Sequence, residues 1–358
     1  LLFRVASRRR AARGASLALL LPLWACGTPE PETAPPPPAA APLTRVQEAL
    51  GYADPLIGSG GFGFRDGSAF PGAAAPHGLA KVGPDTRGPF GTVRFLHFIG
   101  YWYGDDVIQG FSHLHLHGTG APDYGVLSVM PLPSWDPSKL TVEQNESPFQ
   151  KKSEVAAPGY YAVTLDRGPV RAELTATLRA AHHRFTYDPA QSPPGTPRAI
   201  LLDLSKHLES GEITDAEVTV DKAGQRLHGK LHSSGGMTDG YGGYQVYFAA
   251  RTRTAWSEHK VWSEGSPPAA ADHAQGKGVG LALTFPAAAG DAAAPIELQV
   301  AVSLVSQQYA IKSLDAELPD WDFAGTRQKT AAAWQKVLDV AHVTGGSDTQ
   351  RRMFYSAL

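Results

Sequence analysis

Three histidines spaced two residues apart, His113, His115 and His117, are the sharpest local chemical feature of the chain. On a β-strand this spacing puts all three on one face, with Leu114 and Leu116 on the other. Three convergent imidazoles, completed by a carboxylate such as Asp123, would suit zinc or iron. Equally, they could line a wet face and hydrogen-bond neighbouring loops. No further ligand set accompanies them, which disfavours a resident metal. Nearby, Tyr101, Trp102 and Tyr103 are flanked by glycines and followed by Asp105 and Asp106. An aromatic ring can stack on the apolar face of a sugar while carboxylates accept hydrogen bonds from its hydroxyls. Strand alternation would send two of the three rings into a core, leaving Trp102 and Asp105 exposed. Gly58, Gly60 and Gly61 are not a phosphate loop, because no strand–helix unit or lysine follows at the required spacing; flexible backbone beside a ligand fits better. Asp85, after Pro84, is a turn former or a ligand. Asp203 and Glu209 form a catalytic dyad on charge alone, a weak signal because surface carboxylates are common.

The single cysteine excludes a disulfide within the chain. Around Cys26 stand Arg4, Arg8, Arg9, Arg10 and Arg13, then the mainly apolar run Ser16 to Leu23, then Leu23-Trp24-Ala25-Cys26-Gly27. The run is too short to span a bilayer and has the layout of a secretory leader ending in a bacterial lipobox. This predicts a signal peptide over 1–25, cleavage before Cys26 and lipid on its thiol. Gly27, where some lipoproteins carry Asp, points to the outer membrane in a Gram-negative host. Residues 26–42 hold seven prolines among Ala, Thr and Glu, a stiff, solvated tether. The expected location is the cell envelope, with membrane contact only through the anchor. Formal net charge is −2, with no basic block after the first fifteen residues, which excludes nucleic acid as the main partner. The chain opens on Leu1, so its true start is expected upstream or at an alternative codon.

Apolar residues make up 42% of the sequence, enough for a large core, and 38 Gly with 29 Pro supply the turns of an all-β domain. From Leu43 to about residue 310 the pattern is mostly period two, giving one antiparallel β-sandwich domain. Val170, Ala172, Leu174, Ala176 and Leu178 alternate strictly with polar residues, so this strand buries one face. Tyr161 to Leu165 precedes it across the turn Asp166-Arg167-Gly168. Ala199 to Leu204 suits a strand buried on both faces. Further strands are read at 217–220, 226–232, 245–251, 280–285 and 296–305. The period changes in 320–358. Trp334, Val337, Leu338 and Ala341 form a helical stripe within 326–341, and Ser347 N-caps a second helix. That helix carries Met353, Phe354 and Ala357 to the last residue, with nothing following to cover its apolar side, so the chain reads as truncated.

An ordered set of motifs runs from Tyr52 to Pro131. It comprises Asp54-Pro55-Leu56-Ile57-Gly58-Ser59-Gly60-Gly61, Phe70-Pro71-Gly72-Ala73, Gly83-Pro84-Asp85-Thr86, Gly100-Tyr101-Trp102-Tyr103, Gly110 to Gly120 around the histidines, and Asp123-Tyr124-Gly125. The set resembles the opening of family 92 glycoside hydrolases. Gly159-Tyr160-Tyr161, Ala172 to Thr177, Trp334 to Val343 and Phe354 to Leu358 are similar to later segments of that family. The resemblance implies a β-sandwich of supersandwich type, joined by linker helices to an (α/α)6 barrel that is missing here. It implies an exo-acting, inverting, calcium-dependent α-mannosidase whose partners are α-mannoside glycans. The acid, the base and most of the calcium site belong to the barrel. An inverting pair stands about 6.5–9.5 Å apart around a water. Nothing here matches the catalytic motif, so the fragment is expected to be inactive and to supply one wall of the pocket. Gly60, Gly61, Asp85, Trp102, Asp105, His113 and His115 are the expected substrate-binding residues. Two departures bear on which linkage is cut: Phe64 to Ala69 is longer than the common pattern, and His97-Phe98-Ile99 stands where many members have a Trp-Cys pair. The rivals are a lipid-anchored carbohydrate-binding module without catalysis, and a histidine-rich, cupin-like metalloprotein.

Overall fold

The computed structural model describes residues 48–61, 68–89, 91, 96–118, 120–188, 195–208, 211–287 and 294–358. The leader, the tether with Cys26, Glu209 and most of the Phe64–Ala69 departure lie outside these residues. After a short helix, α1 (Glu48–Tyr52), come strands β1 (Ala73–Ala74), β2 (Lys81–Arg87), β3 (Val107–Ser112), β4 (Ser128–Leu132) and β5 (Ser147–Pro148). An antiparallel meander follows, made of β6 (Val155–Ala157), β7 (Tyr160–Leu165), β8 (Val170–Ala176) and β9 (Ala180–Tyr187). Next are β10 (Arg198–Asp203), β11 (Gly211–Asp221), β12 (Arg226–Gly235), β13 (Tyr244–Thr252), β14 (Glu258–Trp262), β15 (His273–Gly276), β16 (Gly280–Phe285) and β17 (Ile296–Ser303). Three helices close the chain: α2 (Gln307–Glu317), α3 (Phe323–Leu338) and α4 (Asp348–Ala357).

One sheet runs β1-β2-β3-β4-β10-β16-β14, with β5 on β3; the other runs β15-β11-β12-β13-β17-β9-β8-β7-β6. Their inner faces share one apolar core, where Ile108, Phe111 and Leu201 meet Val163, Leu174 and Phe248. The expected β-sandwich is the observed fold. Over β9, β13 and β17 the outer face of the second sheet is covered too. Along β17 the inward set Ile296, Leu298, Val300 and Val302 alternates with Glu297, Gln299, Ala301 and Ser303, yet all eight are buried. Ala180, Ala249 and Ala301 face outward without bulk, so α2 seats Ala310 and Leu314 directly on them.

Three expectations are corrected. The β8 stripe stops at Ala176; Leu178 stands in the turn before β9, 47% exposed. Thr175, expected wet, is fully buried and donates to the Gly159 carbonyl at 2.8 Å. The reason is α3, whose Thr330 hydroxyl donates to Ala176 O at 2.7 Å across the same face. The stripe of α3 also starts earlier than expected: Phe323, Thr326, Thr330 and Leu338 are its buried residues. The apolar side read for α4 is uncovered as expected, with Met353 61% exposed, although other residues of the terminal helices pack inward. Leu338 and Tyr355 are buried against Ala49 of α1, and the Trp334 indole donates to Ala74 O at 2.7 Å. Phe354 does remain 41% exposed. Ser347 caps α4 in a full capping box with Gln350.

Candidate functional site

The turn between β3 and β4, the β1–β2 connection, the β8–β9 turn and the β12–β13 hairpin gather at one end of the sandwich. Leu79 and Ala80 donate to Leu178 O, Lys81 donates to His113 O, and Gly236 packs on Pro122. Of the expected site residues, His113 and His115 lie at this end and Asp85 mid-strand opposite Gly110, whereas Trp102 and Asp105, bonded to Thr86 opposite Ile108, lie with Gly60 and Gly61 toward the other end of β2 and β3, and the side chains diverge.

The strand ladder stops at Ser112, so the three histidines do not share a face. His113 turns into the core. Its Nδ1 is 2.6 Å from the Leu127 carbonyl and its Nε2 is 2.9 Å from Nε2 of His183 on β9. A carbonyl only accepts, so Nδ1 of His113 carries its proton and Nε2 accepts; the shared proton then belongs to His183. The remaining His183 Nδ1 is buried without a partner. Burial pushes His113 down to about 4 and His183 well below the usual range, so both are neutral at pH 7. His115 donates from Nδ1 to Lys81 O at 2.8 Å and presents Nε2 to Ser112 Oγ at 3.0 Å and Asp85 Oδ1 at 3.4 Å. His117 is exposed at a rim, where its Nδ1 accepts from Phe70 N at 3.0 Å. Among the described residues no group of three or more His, Cys, Asp or Glu side chains is arranged to hold a metal ion. Neither the zinc reading nor a calcium site fits these side chains.

Asp105, expected exposed, is 2% exposed. Its Oδ2 accepts from Thr86 Oγ1 at 2.6 Å and lies 2.6 Å from His97 Nε2, and Thr86 Oγ1 in turn accepts from Trp102 N. It fastens the 97–105 segment to β2, which the sequence could not reveal because its two side-chain partners, Thr86 and His97, lie 19 and 8 residues away. His97, noted only as a departure, is part of this lock. Asp85 is buried as well, with Oδ2 unpaired and a Cβ at Gly100 barred by an approach of 2.2 Å to its Oδ1. Burial would push Lys206 down, but Glu143, Asp85 and Asp203 outweigh it and hold the ammonium above its ordinary range. The Asp203 carboxyl group is buried and accepts from Val142 N and from Ser205 N and Oγ, so it is tied to its own turn and to the 139–145 loop.

Gly60, Gly61 and Trp102 do come together. The Trp102 indole donates to Gly61 O at 3.0 Å and Tyr103 N donates to Ser59 O at 2.9 Å. A Cβ at Gly60 would stand 2.8 Å from that of Tyr103, so close packing rather than flexibility explains this glycine. Beside this strip the Lys151 ammonium lies 4.7–4.8 Å from the ring centres of Tyr101, Tyr103 and Phe149.

A cavity of about 430 Å³ opens between the Asp54–Ile57 loop, β1 and helices α3 and α4. Asp54, Phe70, His77, Lys81, His117 and Trp334 line it, and none of the seven expected residues does. Burial lowers Lys81, and burial together with that lysine lowers His117. Asp54 is the acidic side chain among the described residues of the lining, tied to Arg352 at 3.3 Å. The cavity has room and hydrogen-bonding groups for one sugar unit. Among the described residues its lining offers no pair of acidic side chains for glycoside hydrolysis. Asp54, Phe70 and His117 stood inside the quoted motifs; His77 and Lys81 carried no signal.

The geometry agrees with what the chain is similar to. The model of the glycosyl hydrolase family 92 N-terminal domain matches residues 52–303, and that of the family 92 catalytic domain matches 309–358. An uncharacterized secreted glycosidase of Arthroderma benhamiae is 28% identical over 331 residues, 87% of this chain and 41% of that protein. The family GH92 α-mannosidase of Bacteroides thetaiotaomicron superimposes with a TM-score of 0.73 at 26% identity, covering 87% of this chain and 41% of that one; it has also been solved with mannoimidazole. An inverting mannosidase of the same family and organism, 22% identical, shares the fold with a TM-score of 0.71 over 88% of this chain and 39% of its own. The chain thus spans about two fifths of the length of the relatives it matches. With two consecutive domain models accounting for nearly all of the residues after position 51, the chain belongs to glycosyl hydrolase family 92.

Proposed function

We propose that the protein to which this chain belongs is an extracellular exo-α-mannosidase, inverting and calcium-dependent, and that residues 48–358 form one wall of its substrate pocket. The observation that carries the reading is the order of the two domain matches, N-terminal over 52–303 and catalytic over 309–358, in a chain similar to an α-mannosidase solved with mannoimidazole. The role of this segment is binding rather than chemistry. The 430 Å³ cavity offers Lys81, His77 and His117 as hydrogen-bond partners for hydroxyls and Phe70 and Trp334 as apolar walls. The Gly60, Gly61 and Trp102 strip is the second sugar-facing surface, and Asp85, Asp105, His113 and His115 hold it and the neighbouring loops in place. The acid, the base and most of the calcium site belong to residues outside this chain. The envelope location follows from the leader and Cys26, which would anchor the enzyme by lipid.

The test is hydrolysis of an aryl α-mannoside by the complete gene product and by the 358-residue chain in parallel. The complete protein should release β-mannose first and lose activity on chelation of calcium, and the chain alone should be inert. Turnover by the chain after removal of host enzymes would overturn the division of labour. Failure of the complete protein on every α-mannoside would overturn the reading itself.

A further inference from the structure

The hairpin joining β12 to β13 carries the most exposed large side chain among the described hydrophobic residues. Tyr241 is 91% exposed and Met237, four residues earlier, 55%. A surface tyrosine is unremarkable on a loose loop, but this loop is fixed. The Asp123 carboxylate, 4% exposed, accepts from Met237 N and Thr238 N, both at 3.0 Å, through one oxygen and from Tyr124 N at 2.8 Å through the other. Gly236 and Gly243 have φ of +54° and +80°, and a Cβ on them would meet Pro122 O at 2.1 Å and Ser233 O at 2.3 Å. The Tyr124 and Tyr244 rings pack at 4.4 Å beneath the tip. A buried carboxylate and two glycines thus set the backbone that holds one ring out in solvent.

Two neighbours indicate what the ring meets. Ser234 and Asp239 of the same hairpin carry hydroxyl and carboxylate oxygens, with Ser234 Oγ donating to Asp239 at 3.0 Å, while the Thr238 hydroxyl is held by Gly235 O at 2.9 Å. Ser234 is also the register partner of Glu212, which lines an open groove of about 620 Å³ with Gln144, His207 and Lys277. A flat apolar ring bordered by hydrogen-bonding groups and continued by a polar groove suits a chain of sugars. A second protein would call for an apolar core patch instead.

We propose that Tyr241 is a stacking platform for one sugar of a bound glycan, on a surface running from the hairpin tip into the Glu212 groove and separate from the 430 Å³ cavity. The choice of mannan as its ligand rests on the function proposed above.

The full chain and its Tyr241→Ala and Tyr241→Trp variants would be run in native gels with and without embedded yeast α-mannan. The wild type and Tyr241→Trp should be retarded, and Tyr241→Ala should bind at least about threefold more weakly, as expected for loss of one stacked ring. Because the residue is exposed, its thermal midpoint should not move. Retardation of Tyr241→Ala equal to wild type, or no retardation of the wild type, overturns the platform. Aryl α-mannoside turnover by the complete protein separates the two ideas. Turnover without retardation removes the platform and leaves the enzyme, whereas Tyr241-dependent retardation without turnover keeps the platform and removes the mannosidase.

Discussion

The His113–His183 pair makes a proton-dependent prediction. Both imidazoles are neutral inside the core, one nitrogen of each facing the other, and His183 Nδ1 has no partner. Burial depresses both folded pKa values, so on acidification the unfolded chain takes up protons first. Stability should be intact above the ordinary histidine value, fall as pH drops from about 6.5, and for His113 level off below about 4. The loss attributable to His113 is on the order of 3 kcal/mol. Thermal midpoints between pH 7 and 4 check this, and His183→Phe should flatten the dependence; equal slopes would sink it. Asp105 gives a second test. Asp105→Asn removes the charge that holds His97 and Thr86, and should cost about 2–4 kcal/mol in chemical denaturation. A substrate-only role predicts no change in stability.

Elements explain why some of this was legible and some not. Tyr161 to Leu165, the Asp166-Arg167-Gly168 turn and the Val170 strand read directly, because one face of that hairpin borders the core and polar residues mark the other. β9 was missed although it sits beside them: His182 and His183 look polar, yet one packs beneath Trp321 and Phe323 and the other pairs with His113 in the core. α2 was missed because its buried stripe is only Ala310 and Leu314, enough once the sheet offers alanines. The histidine trio failed for a related reason, since period two holds only while the ladder continues, and it ends at Ser112. The docking of α3 on β8 can be probed at Gly159, which has φ of +80° and would bring a Cβ to 2.5 Å from Thr330 Cγ2. Gly159→Ala should destabilise by about 1–3 kcal/mol. Adding Thr330→Ser, which deletes that methyl but keeps the hydroxyl bonded to Ala176 O, should recover part of it. No recovery would mean that backbone strain alone sets the cost.

At the scale of the whole molecule, the sandwich with its three closing helices is a platform whose loops converge at one end, and the remaining question is where the cell keeps it. No helix among the described residues is long and apolar enough to cross a membrane, and a similar fungal protein is called a secreted glycosidase. The sequence ahead of the fold carries the answer proposed here. On that proposal the arginines, the short apolar run and Leu23-Trp24-Ala25-Cys26-Gly27 would direct export, cleavage before Cys26 and acylation of the new N-terminus. Two or more acyl chains hold a protein on a bilayer where one does not. Expressed with its leader in a bacterial host, the protein should take up labelled palmitate and sediment with membranes. Cys26→Ser should abolish both, leaving protein that is soluble in the periplasm or uncleaved at its leader. A mutant that stays labelled and membrane-bound would place the anchor elsewhere, and the apolar run ahead of Cys26 would then be a membrane-inserted helix.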